Sequence, residues 1–474
     1  LALNEKQHAD CAKYVNEILT RDPDFYDGLL LSGRLHLNTG ENDKAFTTFE
    51  RTTNLYPKST AAHYFMALSA LARNDQVLAA KHLDEAVKLN PDFSEALLQQ
   101  AQLNLRRDNA AAAIASMTQL IRKSPSFAPA YLTLAAAQAA RGDLNDAVGT
   151  YEQLEKLFPT NATVPFLKGV LYQQQKKTSE ARASYEKAFA LQPENLQPLE
   201  LLVNLDLAEK KPEVAAKRIN DALEKMPKSP ELHSLMAVVY GSQKKTNEVE
   251  KSLLKALEFN PNFLPAHRGL AQLYVAANKH PEALDRLNAV VKVSSNDIPA
   301  LIQIALIQTE LKKYSEARDA YERVVAINPR AAAAYNNLAY LYSEQLDQLD
   351  RAYEAARKAR ELVPTDPAVA DTLGWIVYKR GEFPRALTLL QESAEKLPTE
   401  PDVLFHLGMT QYMLSQEAAA RTSLKRALES KADFSGRSEA EKRLAILDVP
   451  VSADSLPKLE SLAKENPDDP IVVT

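Results

Sequence analysis

The sequence is poor in the residues that make tight turns, cross-links and metal cages. Its 474 residues include 12 glycines, one tryptophan and a single cysteine, Cys11. One cysteine excludes an intrachain disulfide and any site built on a cysteine pair. Scarce glycine argues against a fold of many tight β-turns. No charge of one sign dominates either. Lys plus Arg number 57 against 62 for Asp plus Glu, the net charge is −5, and the two signs are interspersed. No basic face is announced, so nucleic acid is not the expected partner. No apolar run has the length of a membrane span. Also missing are phosphate-binding loops of the G-x-x-x-x-G-K and G-x-G-x-x-G kinds, the H-E-x-x-H pair and the G-x-S-x-G elbow. Carboxylates are plentiful, but solvated helix faces carry them, and no two stand out for acid–base work. His8 and Cys11, three apart on one helix, are two ligands and fall short of a metal site. His63, His233 and His267 are expected to be packing residues. These absences predict a protein that is not an enzyme, with no catalytic residues, cofactor or metal.

What the sequence has is a period. Pro23, Pro57, Pro91, Pro125, Pro159, Pro193, Pro227 and Pro261 are 34 residues apart. Ser295 takes the next position, Pro329 resumes the series, Pro364 slips by one, and Pro398 restores the spacing. In the twelve full units, from the one marked by Pro57 onward, an alanine lies twelve residues before the marker position (Ala45, Ala147, Ala317 and Ala386 among them), except in the unit with Val249. About twenty-four before it lies a second small residue, such as Gly33, Ala135, Gly169, Gly374 or Gly408, with Val203 the departure. Phe49, Tyr151, Tyr185 and Tyr321 follow their alanines by four.

This pattern predicts two helices per unit, A then B, packed antiparallel and closest at the small positions. The unit-final proline ends helix B. Gly40, Gly142 and Gly381 stand where helix A must stop and turn. Pro129, Pro265, Pro299, Pro367 and Pro401 begin A helices, where a missing N–H costs nothing. A lone hairpin cannot bury its apolar face, so neighbours must stack into one continuous core. Twelve units are expected over 26–434. Residues 1–25 read as the end of a helix A plus a helix B, with further units upstream. Residues 435–474 read as a capping helix, Ser438–Leu447, with Glu439, Glu441, Lys442 and Arg443 turned to solvent, followed by a half-repeat at Leu456–Lys464. The tenth unit carries one extra residue, placed between its helices within 346–350, and altered curvature is expected across units eight to ten.

With these residues the chain resembles the tetratricopeptide repeat proteins, whose repeat has this length. The resemblance implies an all-α fold, an α-solenoid of antiparallel helix pairs forming a right-handed superhelix. It also implies a concave face lined by helix A that takes protein or peptide segments. Two clusters stand out on the stripes assigned to that face. The first is Tyr340, Trp375, Tyr378, Phe405, Met409, Tyr412 and Met413, which contains the lone tryptophan. The second is Leu30, Leu37, Tyr64, Leu68, Leu71, Leu98 and Leu105. Aromatic anchors concentrate binding energy, so the first cluster is the leading partner-binding candidate and the second a further patch. The rival reading of the first is burial under the segment after Phe434. Neither the two-carboxylate clamp of tetratricopeptide co-chaperones nor the asparagine ladder of O-linked glycosyltransferases is present.

The expectation is therefore a protein–protein interaction scaffold, with self-association open. One alternative is the targeting arm of a larger enzyme or outer-membrane export protein; another is carbohydrate binding by the aromatic groove. Asp371-Thr372-Leu373-Gly374-Trp375, followed by His406-Leu407-Gly408, resembles the last repeats of bacterial envelope tetratricopeptide proteins. Among those are lipoproteins linked to exopolysaccharide production and protein sorting. That resemblance implies a bacterial periplasmic or membrane-associated envelope location, the alternative being cytoplasmic.

Overall fold

The computed structural model describes residues 8–430, 434–450, 455–465 and 469–471. Every regular element among them is helical, and no strand occurs among the described residues. After a first helix, His8–Arg21, helices alternate as A and B in twelve pairs from Tyr26–Asn38 to Glu417–Glu429. The expected end of an earlier helix A, and the side chain of His8, lie outside the described residues.

The local chemistry accounts for the helix limits. Side chains of Ser59, Asp75, Asn109, Ser229, Asp297 and Asp366 accept hydrogen bonds from the first free backbone N–H groups of the helices they precede. At the turn from A to B every repeat places one residue at positive φ, from Gly40, Asn74 and Asp108 through to Gly381 and Ser415. Only three of the twelve are glycines, so most of these turns carry a side chain in left-handed backbone.

Packing explains the small positions. Ala45, Ala79, Ala113, Ala147, Ala181 and Ala215 are fully buried. A Cβ added at Gly33 would overlap the ring of Phe49, and one at Gly169 the ring of Tyr185. In these two repeats the aromatic four residues after the helix B alanine thus fills the space beside the glycine of helix A. Larger side chains at either position would force the pair apart.

The chain forms two compact units, 1–227 and 228–474. The first holds a series of local apolar clusters. In the second, one cluster extends from Ala237 to Leu407 and another gathers Leu404 to Leu447.

The extra residue of repeat ten is not placed where the spacing suggested. It is absorbed before the turn, in a π-helical segment Leu341–Gln345 that continues helix A (Ala332–Tyr340). There the N–H of Leu346 reaches the Leu341 carbonyl at 3.0 Å.

The chain ends in helices Arg437–Leu447 and Leu456–Glu465. Glu441 and Lys442 are exposed, but Glu439 and Arg443 are not turned to open solvent. Arg443 pairs with Glu439 at 2.8 Å and with Asp469, and its guanidinium lies 5.2 Å from the centre of the Tyr412 ring. Pro467 lies outside the described residues.

Candidate partner-binding face

The C-terminal aromatic cluster divides into a covered half and an open half. Phe405, Met409 and Tyr412 lie on helix A of repeat twelve (Pro401–Met413) and are 5%, 4% and 0% exposed. The terminal helix Arg437–Leu447 packs over them, with Phe434 5.8 Å from the Phe405 ring and Leu447 in the same cluster. The Tyr412 hydroxyl donates to the Asp469 carboxylate at 2.8 Å. Burial first, and that carboxylate second, push the Tyr412 phenol well above its usual pKa. The expectation that these three residues line a solvent-filled groove is therefore corrected. They are core under the cap, because the last repeat has no successor to cover its apolar face. Met413 packs half-buried at the edge of the same core.

Trp375, on helix A of repeat eleven (Pro367–Lys379), marks the boundary. It lies nearly parallel to Tyr378 one turn on, with centroids 4.5 Å apart at 7°, and to His406 on the next A helix, 4.2 Å apart at 18°. Asp371 holds the His406 ring at 2.9 Å through Nδ1. Trp375 and Tyr378 are half-buried, and Lys379 sits 5.9 Å from the Trp375 centre. Protein rings thus already occupy the stacking surface of the tryptophan.

A cavity of ≈ 760 Å³ opens beside this stack. Tyr340, Trp375, Phe405 and Phe434 supply its aromatic wall, and Glu344, Asp371, Asp402 and Glu439 its carboxylates; no lysine or arginine is among the described residues that line it. Lys379 pairs with Glu344 from outside at 2.7 Å. The Asp402 carboxyl is raised above the usual range, chiefly by desolvation, against the pull of His406.

Tyr340, 49% exposed, connects the cavity to a longer row. At the same repeat position stand Leu306, 47% exposed on Ile298–Glu310, and Val238, 51% exposed on Pro230–Ser242. Val275, 37% exposed on Leu264–Ala276, lies one turn beyond the polar Gln272 of that position. The row extends the candidate face back through repeats seven to ten. The sequence signal was the single stripe Val238, Leu306, Tyr340 and Trp375. It was obscured by the polar Ser234 and Gly241 of the flanking stripes.

The second patch is open but shallow. Leu30, Leu37, Tyr64, Leu68, Leu71, Leu98 and Leu105 are all half-buried. Leu30 and Leu37 pack on the cluster of Phe49 and Met66, Tyr64 and Leu71 on that of Leu83, and Leu98 and Leu105 on that of Met117. Tyr64 also meets Phe93 edge-on at 5.1 Å. These side chains serve mainly to join one repeat to the next. His63 and His267 are buried, and each bonds the carbonyl of the proline that closes the preceding repeat, Pro57 or Pro261. Among the described residues no group of three or more His, Cys, Asp or Glu is placed to hold a metal ion. No described helix is long and apolar enough to cross a membrane.

Two family profiles, both described as tetratricopeptide repeat, match the chain. One covers 172–239, and the other covers 30–92, 64–128, 132–195, 302–367 and 372–433. A curated relative, "TPR repeat-containing protein PA4667" of Pseudomonas aeruginosa, is 38% identical over 58 residues, which is 12% of this chain. The chain spans 10% of the length of that relative. Among solved structures, "Crystal structure of APC/C hetero-tetramer Cut9-Hcn1" superposes with a TM-score of 0.37 at 14% identity, over 88% of this chain and 96% of that one. "Functional Characterization of Pseudomonas Aeruginosa pilF" gives 0.38 at 18% identity, over 45% of this chain and 96% of that one. "Crystal structure of YrrB: a TPR protein with an unusual peptide-binding site" gives 0.34 at 13% identity, over 40% and 96%.

Proposed function

The chain belongs to the tetratricopeptide repeat family, and on that premise we propose that it is a non-catalytic scaffold that holds segments of partner proteins. The segments lie along the A-helix face of the C-terminal unit. The observation that carries this reading is the row Val238, Leu306 and Tyr340, each about half exposed at one repeat position and leading to the cavity beside Trp375. A solvated helix face gains nothing from such residues, whereas a docking face does. The covered aromatics Phe405, Met409 and Tyr412 belong to the scaffold's own core, so the binding face is Tyr340, Trp375 and the row behind them.

The test is site-specific photo-crosslinking in the native host. A photoreactive amino acid replaces Tyr340 on the face, and in a second chain it replaces Glu354, exposed on a B helix. Adducts to the same partner from position 340 and none from 354 are expected. Equal labelling from both positions, or labelling from 354 alone, overturns the reading.

We also propose that the scaffold works in a bacterial cell envelope. The support is the resemblance of Asp371 to Trp375 and of His406 to Gly408 to the last repeats of envelope members of the family. Cell fractionation with an antibody to the chain tests it; recovery with the cytoplasmic fraction overturns it.

A further inference from the structure

The reading above says where a partner lies but not what chemistry it brings. Four carboxylates line the cavity, and two of them are already matched by fixed cations. Glu344 is paired with Lys379, and Glu439 with Arg443. The other two are not matched in that way. Asp371 meets only the His406 imidazole, and Asp402 makes no ion pair. Among the described residues the cavity therefore holds two carboxylates that no lysine or arginine matches, next to a half-buried tryptophan and an exposed tyrosine. Carboxylates in a partly dry recess attract a cation more strongly than the same groups on an open surface. Aromatic rings at the wall favour the same charge.

The apolar row adds the second half of the argument. The row from Val238 to Tyr340 crosses four successive A helices, and at a helix spacing on the order of 10 Å it spans about 30 Å. An extended chain covers that distance in about nine residues. Such a segment would bury apolar side chains on Val238, Leu306 and Tyr340 and arrive at the cavity with its end. A carboxylate arriving there would meet Asp371 and Asp402, which no lysine or arginine neutralises.

We propose that the cavity seats a lysine or arginine side chain of the partner segment, whose apolar residues lie along Tyr340, Leu306 and Val238. The partner is thus a basic, amphipathic segment of another protein. This rests on the reading that the A-helix face of the C-terminal unit is the docking face, and the two fail differently.

The probes are three synthetic peptides of about twelve residues, alternating leucine with lysine, glutamate or serine. Each carries a fluorophore and is titrated by anisotropy into the full chain, with Trp375 emission as a second readout. The variants are Asp402→Asn at the cavity and Leu306→Ser on the row, each checked for unchanged helicity and melting. The lysine peptide is expected to bind at least tenfold tighter than the other two. Asp402→Asn should weaken it several-fold, and Leu306→Ser should weaken all peptides that bind. Equal binding of the three, with Leu306→Ser weakening each, keeps the docking face and overturns the cation seat. Lysine-peptide binding that Asp402→Asn leaves unchanged is general attraction to an acidic protein and also overturns the seat. Binding that Leu306→Ser does not affect, or no binding by any peptide, overturns the docking face and the seat together.

Discussion

Gly436 lies against the ring of Phe405 so closely that a Cβ there would overlap three ring carbons. The ring cannot yield, because it is 5% exposed and held between Trp375 at 5.6 Å and Phe434 at 5.8 Å. This contact sets the terminal helix onto the last repeat. Gly436→Val should cost about 1–3 kcal/mol by overpacking. The cost should fall on the cap rather than on the whole array, because repeat stability is built from neighbour contacts. Hydrogen exchange checks it: amides of Arg437–Leu447 should exchange faster while those of repeats seven to nine do not change. Uniform loss of protection would show that the cap and the array open as one.

Acid should weaken the N-terminal unit through one histidine pair. His63 Nε2 lies 3.0 Å from the Pro57 carbonyl, which can only accept, so that nitrogen carries the proton. His63 Nδ1 is then an acceptor for Nδ1–H of His82 at 2.9 Å. Burial, then His63 and Lys81, lowers the His82 pKa from 6.5 to about 4. Between those two values the unfolded chain binds the proton that the folded chain refuses. Stability is therefore complete above about pH 6.5 and is lost as pH falls towards 4, by at most about 1.4 kcal/mol per unit. Denaturant melts at pH 7, 5.5 and 4.5 should show this slope. His82→Gln, which keeps a donor for His63 without titrating, should reduce it.

Nine of the twelve A-to-B turns place a non-glycine residue in left-handed backbone. Lys176, Lys210, Lys244 and Lys312 do so at φ between 57° and 59° with exposed side chains. The strain of a Cβ there is about 1 kcal/mol, and glycine avoids it at some entropic expense. Lys210→Gly and Lys244→Gly should each stabilise by a few tenths to about 1 kcal/mol, read as a higher denaturant midpoint. Gly142→Lys, at φ 92°, should destabilise. An unchanged midpoint in both lysine variants would mean that the turns are not strained.

These turns also mark how far the sequence can be read. The 34-residue proline series and the alanine four residues before each Phe49-type aromatic are set by helix length and by backbone contact. Both recur through the array with few departures, such as Ser295 for the proline and Val249 for the alanine, so the fold was legible. Gly40, Gly142 and Gly381 announced their turns, but the other nine needed the backbone angle itself. The π turn at Leu341–Gln345 was placed five residues late, because one added residue can be absorbed anywhere between two fixed packing positions. The site was legible only in part. Trp375, Tyr378, Phe405 and Tyr412 were correctly seen to share adjoining stripes, yet whether a stripe faces solvent or a cap depends on residues after Phe434, where the period ends. Nothing in the spacing could show that Asp469, 57 residues beyond Tyr412, would close over it.

That closure gives the last prediction. Asp469 is 4% exposed, accepts from the Tyr412 hydroxyl at 2.8 and 2.9 Å, and pairs with Arg443. It is also capped by the N–H of Ile471 at 2.9 Å. One carboxylate thus ties the chain terminus, the cap helix and the last repeat together. Asp469→Ala leaves a fully buried phenol without its acceptor and a half-buried guanidinium with Glu439 alone. Each loss of that kind costs about 1–3 kcal/mol. Tyr412→Phe alone removes the phenol and should be milder. In Asp469→Ala/Tyr412→Phe the hydroxyl no longer needs a partner, so the double variant should be less unstable than the sum of the singles. Released from the latch, the cap should uncover Phe405 and Tyr412, and the lone tryptophan should report it. Trp375 emission should shift to the red and become easier to quench in Asp469→Ala, with Tyr412→Phe close to the parent. Emission unchanged in Asp469→Ala would show that apolar packing by Phe434 and Leu447 holds the cap without the carboxylate.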